Sequence, residues 1–172
     1  MLGPDEVRAV LRRHGLDPRR SLGQNFVVDP VIVEGIAELA DASRGDHVVE
    51  IGPGLGSLTL ALHATGASVL AIEKDRTLMP VLRDVLASRA ATEVEVVQAD
   101  ALEVDWQEVL GTRHPGVWKL VANLPYNVAV PLVMGVLVGA PMVQRLVVMV
   151  QREVAERLAA GPGGRVVGVP SI

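Results

Sequence analysis

The sequence predicts an α/β fold: a mostly parallel sheet with helices on both faces. Three observations predict it. Short apolar runs alternate with helical patterns along most of the chain. Two of those runs, Leu120-Val121-Ala122 and Val147-Val148-Met149-Val150, are continuously apolar, as strands buried on both faces should be. The first strand-like run leads into Gly52-Pro53-Gly54-Leu55-Gly56, a turn of the kind that joins a strand to a helix beside a ligand. At 172 residues and 49% hydrophobic, the chain fits one domain with a sizeable core.

Pro4–His14 reads as a short helix with Val7, Val10 and Leu11 on one face. Gly15–Asp29 is rich in turn residues. Asp29 is placed to cap a helix that opens on Pro30 and runs to Ala40, with Ile32, Val33, Ile36, Ala37 and Leu39 at its 3.6-residue period. Strands are predicted over His47–Ile51, Val69–Glu73, Val94–Gln98, Val117–Ala122 and Arg145–Val150. The intervening helices are Ser57–Ala64, Asp75–Ala90, Asp105–Leu110 and Val128–Val138, the last with Pro131 in its first turn. Gln151–Ala160 closes the series, ended by Gly161-Pro162-Gly163-Gly164.

Ligands of such sheets bind at the carboxyl ends of the strands, so the residues there carry the candidate chemistry. After the first strand, Gly52 and Gly54 let the backbone approach a ligand closely. After the second comes Glu73, 21 positions beyond Gly52 and suited to accept hydrogen bonds from ribose hydroxyls. After the third comes Asp100, which could accept from an adenine amino group or cap a helix. After the fourth comes Asn123-Leu124-Pro125-Tyr126, the sharpest signal. The exocyclic amine of adenine is a poor nucleophile because its lone pair is delocalised into the ring. Two acceptors, the Asn123 side-chain oxygen and the Leu124 carbonyl, would draw that nitrogen toward sp³. Pro125 would fix the direction of the carbonyl before it, and Tyr126 would stack on the base.

Composition narrows the classes. There is no cysteine, which removes disulfides, thiolate metal sites and cysteine nucleophiles. Net charge is −4, against bulk electrostatic binding to nucleic acid, but the charge is uneven. Residues 1–20 hold five arginines and three acids, and residues 144–172 hold four arginines and two acids. Both ends are thus basic around an acidic body. Leu120–Val143 is uncharged, but Asn123, Pro125, Asn127, Pro131 and Pro141 interrupt it, so it reads as strand, loop and helix and not as a membrane span. The N-terminus shows no signal peptide, and the expected location is the cytoplasm.

Taken together, Ser21-Leu22-Gly23-Gln24-Asn25-Phe26, Glu50-Ile51-Gly52-Pro53-Gly54-Leu55-Gly56, Ile72-Glu73-Lys74-Asp75, Gln98-Ala99-Asp100-Ala101-Leu102, Asn123-Leu124-Pro125-Tyr126-Asn127 and Gln151–Leu158 appear in an order that resembles a known family. It is the ribosomal RNA adenine N6,N6-dimethyltransferases that act on bacterial small-subunit rRNA. The resemblance runs from about residue 15 to the end of the chain. It implies a Rossmann-like S-adenosylmethionine-dependent methyltransferase fold, with S-adenosyl-L-methionine as methyl donor. It implies cofactor contacts at Asn25, Val27, Gly52, Gly54, Glu73, Asp100 and Asn123, and catalysis at Asn123, Leu124, Pro125 and Tyr126. Residues 1–29 would be the segment that covers the cofactor, within a catalytic domain spanning 1–172. The substrate would be two adjacent adenosines near the 3′ end of 16S rRNA in the 30S subunit or its precursor, each methylated twice, with neither metal nor membrane involved and the full-length protein a monomer. Val167 stands where the family usually has tyrosine, and Pro170 where leucine is more usual. The family continues with two further strands and a small helical domain, so the chain is expected to be incomplete at its C-terminal end. Three other readings stay open: a macrolide-resistance 23S rRNA methyltransferase, a nicotinamide-dependent oxidoreductase, and a non-catalytic cofactor-binding module. Leu124 and the net negative charge favour the small-subunit reading over the first. The second leaves Asp100 and Asn123–Tyr126 without a task.

Overall fold

A computed structural model of the chain describes residues 2–17, 27 and 29–159. Helices α1 (Pro4–Arg13) and α2 (Pro30–Ala40) precede the sheet. Then follow β1 (His47–Ile51), α3 (Ser57–Ala64), β2 (Ser68–Glu73), α4 (Met79–Ser88), β3 (Glu95–Gln98), α5 (Trp106–Gly111), β4 (Trp118–Asn123), α6 (Tyr126–Gly139), β5 (Val143–Met149) and α7 (Arg152–Ala159). All strand pairs are parallel, in the order β3-β2-β1-β4-β5. This is the predicted fold class, and the order reverses direction between β1 and β4.

Side chains alternate across each strand, so two apolar layers form. Val48, Val69, Ala71 and Val121 face helices α1 to α4, where Leu11, Val33, Ile36, Leu62, Val81 and Leu82 are buried. Val49, Ile51, Leu70, Ile72, Leu120 and Ala122 face the other side and pack on Trp106, Leu110, Leu132, Val136 and Val154. Both tryptophans are therefore core residues, which leaves neither as a platform for a flat ligand. The stretch from Leu120 to Val143 is β4, a turn and α6, and no helix among the described residues is long and apolar enough to cross a membrane.

Local chemistry explains the boundaries. Asp29 caps α2, its Oδ1 accepting from the Val31 N–H at 2.9 Å, with Pro30 in the first turn as expected. The buried stripe of α2 is Val33, Ile36, Ala37 and Ala40, while Ile32 and Leu39 are exposed. The predicted helix from Asp75 instead begins at Met79. Asp75 Oδ1 binds the N–H and hydroxyl of Thr77, and this local turn competes with helix. α6 begins two residues before the predicted start, with Pro125 as its N-cap. Pro131 is accordingly inside the helix, not in its first turn, and the Asn127 carbonyl lacks its usual i+4 donor. β5 begins at Val143, because a register shift opposite Trp118 and Lys119 inserts one residue into its pairing with β4.

At the amino ends of the strands the His47 and His114 rings are stacked, centroids 3.6 Å apart and 16° from parallel. Burial holds the His47 imidazole below its ordinary value, the His114 charge adds to this, and Asp46 opposes it. The depressed value means that folding favours neutral His47. Its contribution is present above pH 6.5, the ordinary value, and is lost as pH falls through the lower folded value. Thermal unfolding followed from pH 7.5 down to about 5.5 should show a declining midpoint. His47→Gln should remove part of that decline, and an unchanged slope in the variant would count against this account.

Candidate active site

The reversal between β1 and β4 opens a crevice at their carboxyl ends, where open parallel sheets bind ligands. The two strands run in register, Ile51 beside Ala122, so the turn after β1 and the turn after β4 leave the sheet side by side. A Cβ placed on Gly52 would lie 3.9 Å from the Asn123 carbonyl oxygen. Gly52 has φ +68° and donates its N–H to the Ile72 carbonyl at 3.0 Å, so the turn is tied to β2 at its first residue. Gly56, at φ +87°, precedes α3, and a Cβ there would meet Leu82 Cδ1 at 2.7 Å. Glycine is required at both positions by backbone conformation, and at Gly56 by packing as well.

Glu73 ends β2 with its side chain buried. Oε2 accepts from the Gly54 N–H at 3.1 Å and Oε1 from the Asp75 N–H at 2.8 Å. One carboxylate thus clamps the glycine turn to the loop after β2. Burial raises the Glu73 carboxyl above its ordinary value, while the Asp75 and Gly54 N–H groups pull it back. Each oxygen keeps a second lone pair for a ligand hydroxyl. On the next strand Ala99 donates to the Glu73 carbonyl at 3.1 Å, which brings Asp100 close to Glu73 along the same edge. Asp100 Oδ1 accepts from the Leu102 N–H at 3.0 Å and caps a turn, not a helix. Its Oδ2 is paired with Lys74 Nζ at 2.5 Å, and that hydrogen bond holds the Asp100 carboxyl below its ordinary value. An ionised acceptor therefore stands ready at the strand end.

Asn123 is the last residue of β4, and Leu124 is buried. The Leu124 N–H donates to the Met149 carbonyl at 2.9 Å, so the turn is held from β5 as well as by its own strand. Pro125 then caps α6, with Val128 and Ala129 both donating to its carbonyl at 3.1 Å. Val27 joins Glu50, Gly52, Leu55, Ser57 and Asn123 around a small pocket under the glycine turn. Of the predicted residues, Val27, Gly52 and Asn123 line this pocket, while Gly54, Glu73, Asp100, Leu124 and Pro125 stand along the same carboxyl edge of the sheet. Asn25 and the side chain of Tyr126 lie outside the described residues.

Sequence reasoning missed three parts of this arrangement. Lys74 reads as one charge in a solvated run, and its partner Asp100 is 26 residues away. The anchor at Met149 belongs to the backbone and leaves no mark in the side chains. Glu50, 1% exposed, did leave a signal: it is the acid inside the apolar run of β1. A larger groove, about 580 Å³, lies between α2 and α3 and is lined by Glu34, Glu38, Asp41 and Leu60 among others. It has no part of the glycine turn.

A single parallel sheet in this order, with a glycine turn after β1, an acid at the end of β2 and an acid two residues after β3, has the fold of the S-adenosylmethionine-dependent methyltransferases. A family model described as "Ribosomal RNA adenine dimethylase" matches residues 15–169, and the chain belongs to that family. The Ribosomal RNA small subunit methyltransferase A of Corynebacterium jeikeium is 49% identical over 174 residues, covering 100% of this chain and 55% of that protein. The chain thus spans little more than half the length of this relative. Among solved structures, a dimethyladenosine transferase from Plasmodium falciparum superposes with TM-score 0.70 at 27% identity, over 84% of this chain and 50% of that one. A 23S rRNA methyltransferase superposes at 0.66 with 29% identity, over 77% and 50%. An RNA methyltransferase from Salinibacter ruber in complex with S-adenosyl-L-homocysteine gives 0.51 at 25% identity, over 63% and 67%.

Glu73→Gln tests the clamp without a ligand. The amide offers one acceptor oxygen to two backbone donors, so either Gly54 or Asp75 loses its partner. Urea unfolding should show a loss of about 1–3 kcal/mol. Unaltered stability would mean that the clamp does not hold the turn.

Proposed function

We propose that this chain is the cofactor-binding catalytic domain of an enzyme that dimethylates N6 of two adjacent adenosines near the 3′ end of 16S rRNA. The observation that carries the reading is the juxtaposition of Asn123-Leu124-Pro125 with the glycine turn at the β1/β4 crevice. It puts candidate acceptors for an adenine amine beside a backbone cradle for a nucleoside-containing cofactor. Residues 1–29 complete the domain as the segment that covers the cofactor. The substrate is the 30S particle or its precursor, the protein works in the cytoplasm, and the full-length enzyme is a monomer.

S-adenosyl-L-methionine fits the residues present. Glu73 would hold the ribose hydroxyls and Asp100 the adenine amine, with Gly52 and Gly54 leaving room for the backbone to approach. Asn25 and Val27 would close over it. Bound there, the cofactor supplies a methyl carbon already made electrophilic by the sulfonium, so no covalent intermediate with the protein is needed. The chain's own work is orientation and exposure of the lone pair. The Asn123 side-chain oxygen and the Leu124 carbonyl accept from the two N–H groups of the target amine. Pro125 restricts Leu124 so that its carbonyl keeps its direction. Tyr126 stacks on the flipped base. The likeness to a 23S rRNA methyltransferase is nearly as close in fold. The 49% identity to a small-subunit methyltransferase supports 16S rRNA as the substrate.

Two tests follow from the assigned roles. Glu73→Ala should weaken S-adenosylmethionine binding about 10- to 100-fold by calorimetry, and unchanged affinity would remove Glu73 from the ribose. In the full-length protein, single-turnover methylation of unmethylated 30S particles should fall about 100- to 1,000-fold for Asn123→Ala, with only a modest change in cofactor affinity. Tyr126→Phe should keep much of the rate and Tyr126→Ala lose most of it, since stacking is worth about 1–3 kcal/mol per base. Near-normal turnover in Asn123→Ala would end the lone-pair account. Equal loss in both tyrosine variants would give the task to the hydroxyl.

A further inference from the structure

The groove between α2 and α3 lies apart from the crevice and has a chemistry of its own. Its floor is apolar: Ala37 and Leu60 are buried beneath it and Ala61 is half-buried. One wall is acidic, built by Glu34 and Glu38 one helical turn apart and by Asp41 at the cap of α2, all three exposed. The other wall, Ala64 and Thr65 at the end of α3, is uncharged. The acids sit where α2 favours them least. Like charges at i and i+4 repel, and carboxylates near the C-terminus of a helix oppose its dipole. α2 carries no lysine or arginine to offset them. Asp41 is paired with Arg145 at 3.5 Å. Arg145 and Lys119 also hold the Leu39 and Asp41 carbonyls at the helix end. Glu34 and Glu38 have no cation partner among the described residues, whereas Glu6, Asp46, Asp84 and Glu95 each have one.

Local preferences are broken in this way where a surface serves a function. A water takes about 30 Å³ of liquid, so a groove of about 580 Å³ admits side chains and not only a lone ion. Its charge has the sign of a nucleic-acid backbone, which favours a polypeptide over RNA as the occupant. We propose that the α2/α3 groove is the docking site for a basic segment of a protein partner. Arginines or lysines one helical turn apart on that segment pair with Glu34 and Glu38, and an apolar side chain between them packs on Ala37 and Leu60. Val31, on the same stripe of α2 and 77% exposed, lengthens the apolar contact. The inference goes beyond the methyl-transfer reading and does not rest on it. α3 starts at the glycine turn and ends at the groove, so an occupied groove leaves the cofactor crevice open.

The probe is a short amidated alanine-based helical peptide with arginines four residues apart and leucines between them. Titrated at low salt into nitrogen-15-labelled protein, it should shift the amides of Glu34, Glu38, Ala61 and Ala64. A Glu34→Gln/Glu38→Gln double variant should bind it about 10-fold more weakly, the loss expected for two ion pairs. A peptide of the same composition with its arginines scattered should also bind more weakly. No binding, equal affinity in wild type and double variant, or shifts spread over the acidic surface would overturn the proposal. So would a uridine oligonucleotide that shifts the same amides, because RNA would then be the occupant. Dimerisation in sedimentation that the double variant abolishes would overturn it too, in favour of a second copy of the chain. Thermal unfolding gives an answer that needs no peptide. The double variant relieves repulsion within α2, so its midpoint should rise above that of wild type. A lower midpoint would show that the two carboxylates serve the fold and would remove them from a docking role.

Discussion

β1 is hydrogen-bonded along its length to β2 on one side and to β4 on the other, with Ile51 level with both Ile72 and Ala122. That double pairing decides where everything at the carboxyl edge of the sheet can be. Three chain segments emerge together, and each must turn away without blocking the others. The glycine turn leaves toward one helical layer and Asn123-Leu124-Pro125 leads into the other. The gap between them is the crevice. Its walls are fixed by backbone bonds from neighbouring strands, from Gly52 to Ile72 and from Leu124 to Met149. A site built this way is organised before any ligand arrives, which is what positioning chemistry requires.

The charges at the edge serve the same end by different means. Glu73 is buried, yet two backbone N–H groups hold it in place. Asp100 is partly exposed and kept ionised by Lys74. Glu50 is buried without a counter-charge and stays protonated near neutrality. Three carboxyl groups within one site thus present three electrostatic states, set by burial and by partners and not by residue type. Burial and partners thus give the sheet's edge acceptors of different character.

Much of this was legible in the sequence. The five strands, the parallel sheet and the positions of Gly52, Gly54, Glu73, Asp100 and Asn123 follow from apolar runs and from what stands after each of them. The boundaries were less legible where side chains compete with the backbone. Asp75 diverts the start of α4 into a turn, and Pro125 caps α6 earlier than Pro131 suggested. The apolar pattern of α2 included Ile32 and Leu39, which are exposed, because periodicity marks a face but not the width that neighbours cover. The Lys74–Asp100 pair and the Met149 anchor join residues distant in sequence, and nothing local encodes them. Glu50 was visible as an acid inside an apolar run, but its full burial shows only in the packed sheet.

The β1/β4 crevice is the proposed seat of the cofactor. Amide chemical shifts of nitrogen-15-labelled protein, recorded as S-adenosylmethionine is added, test it most directly. The largest changes should fall on Gly52, Gly54, Gly56, Asp75, Asp100 and Leu124, with Glu34, Glu38, Ala61 and Ala64 in the groove between α2 and α3 unmoved. Changes concentrated in that groove, with the strand ends silent, would contradict it.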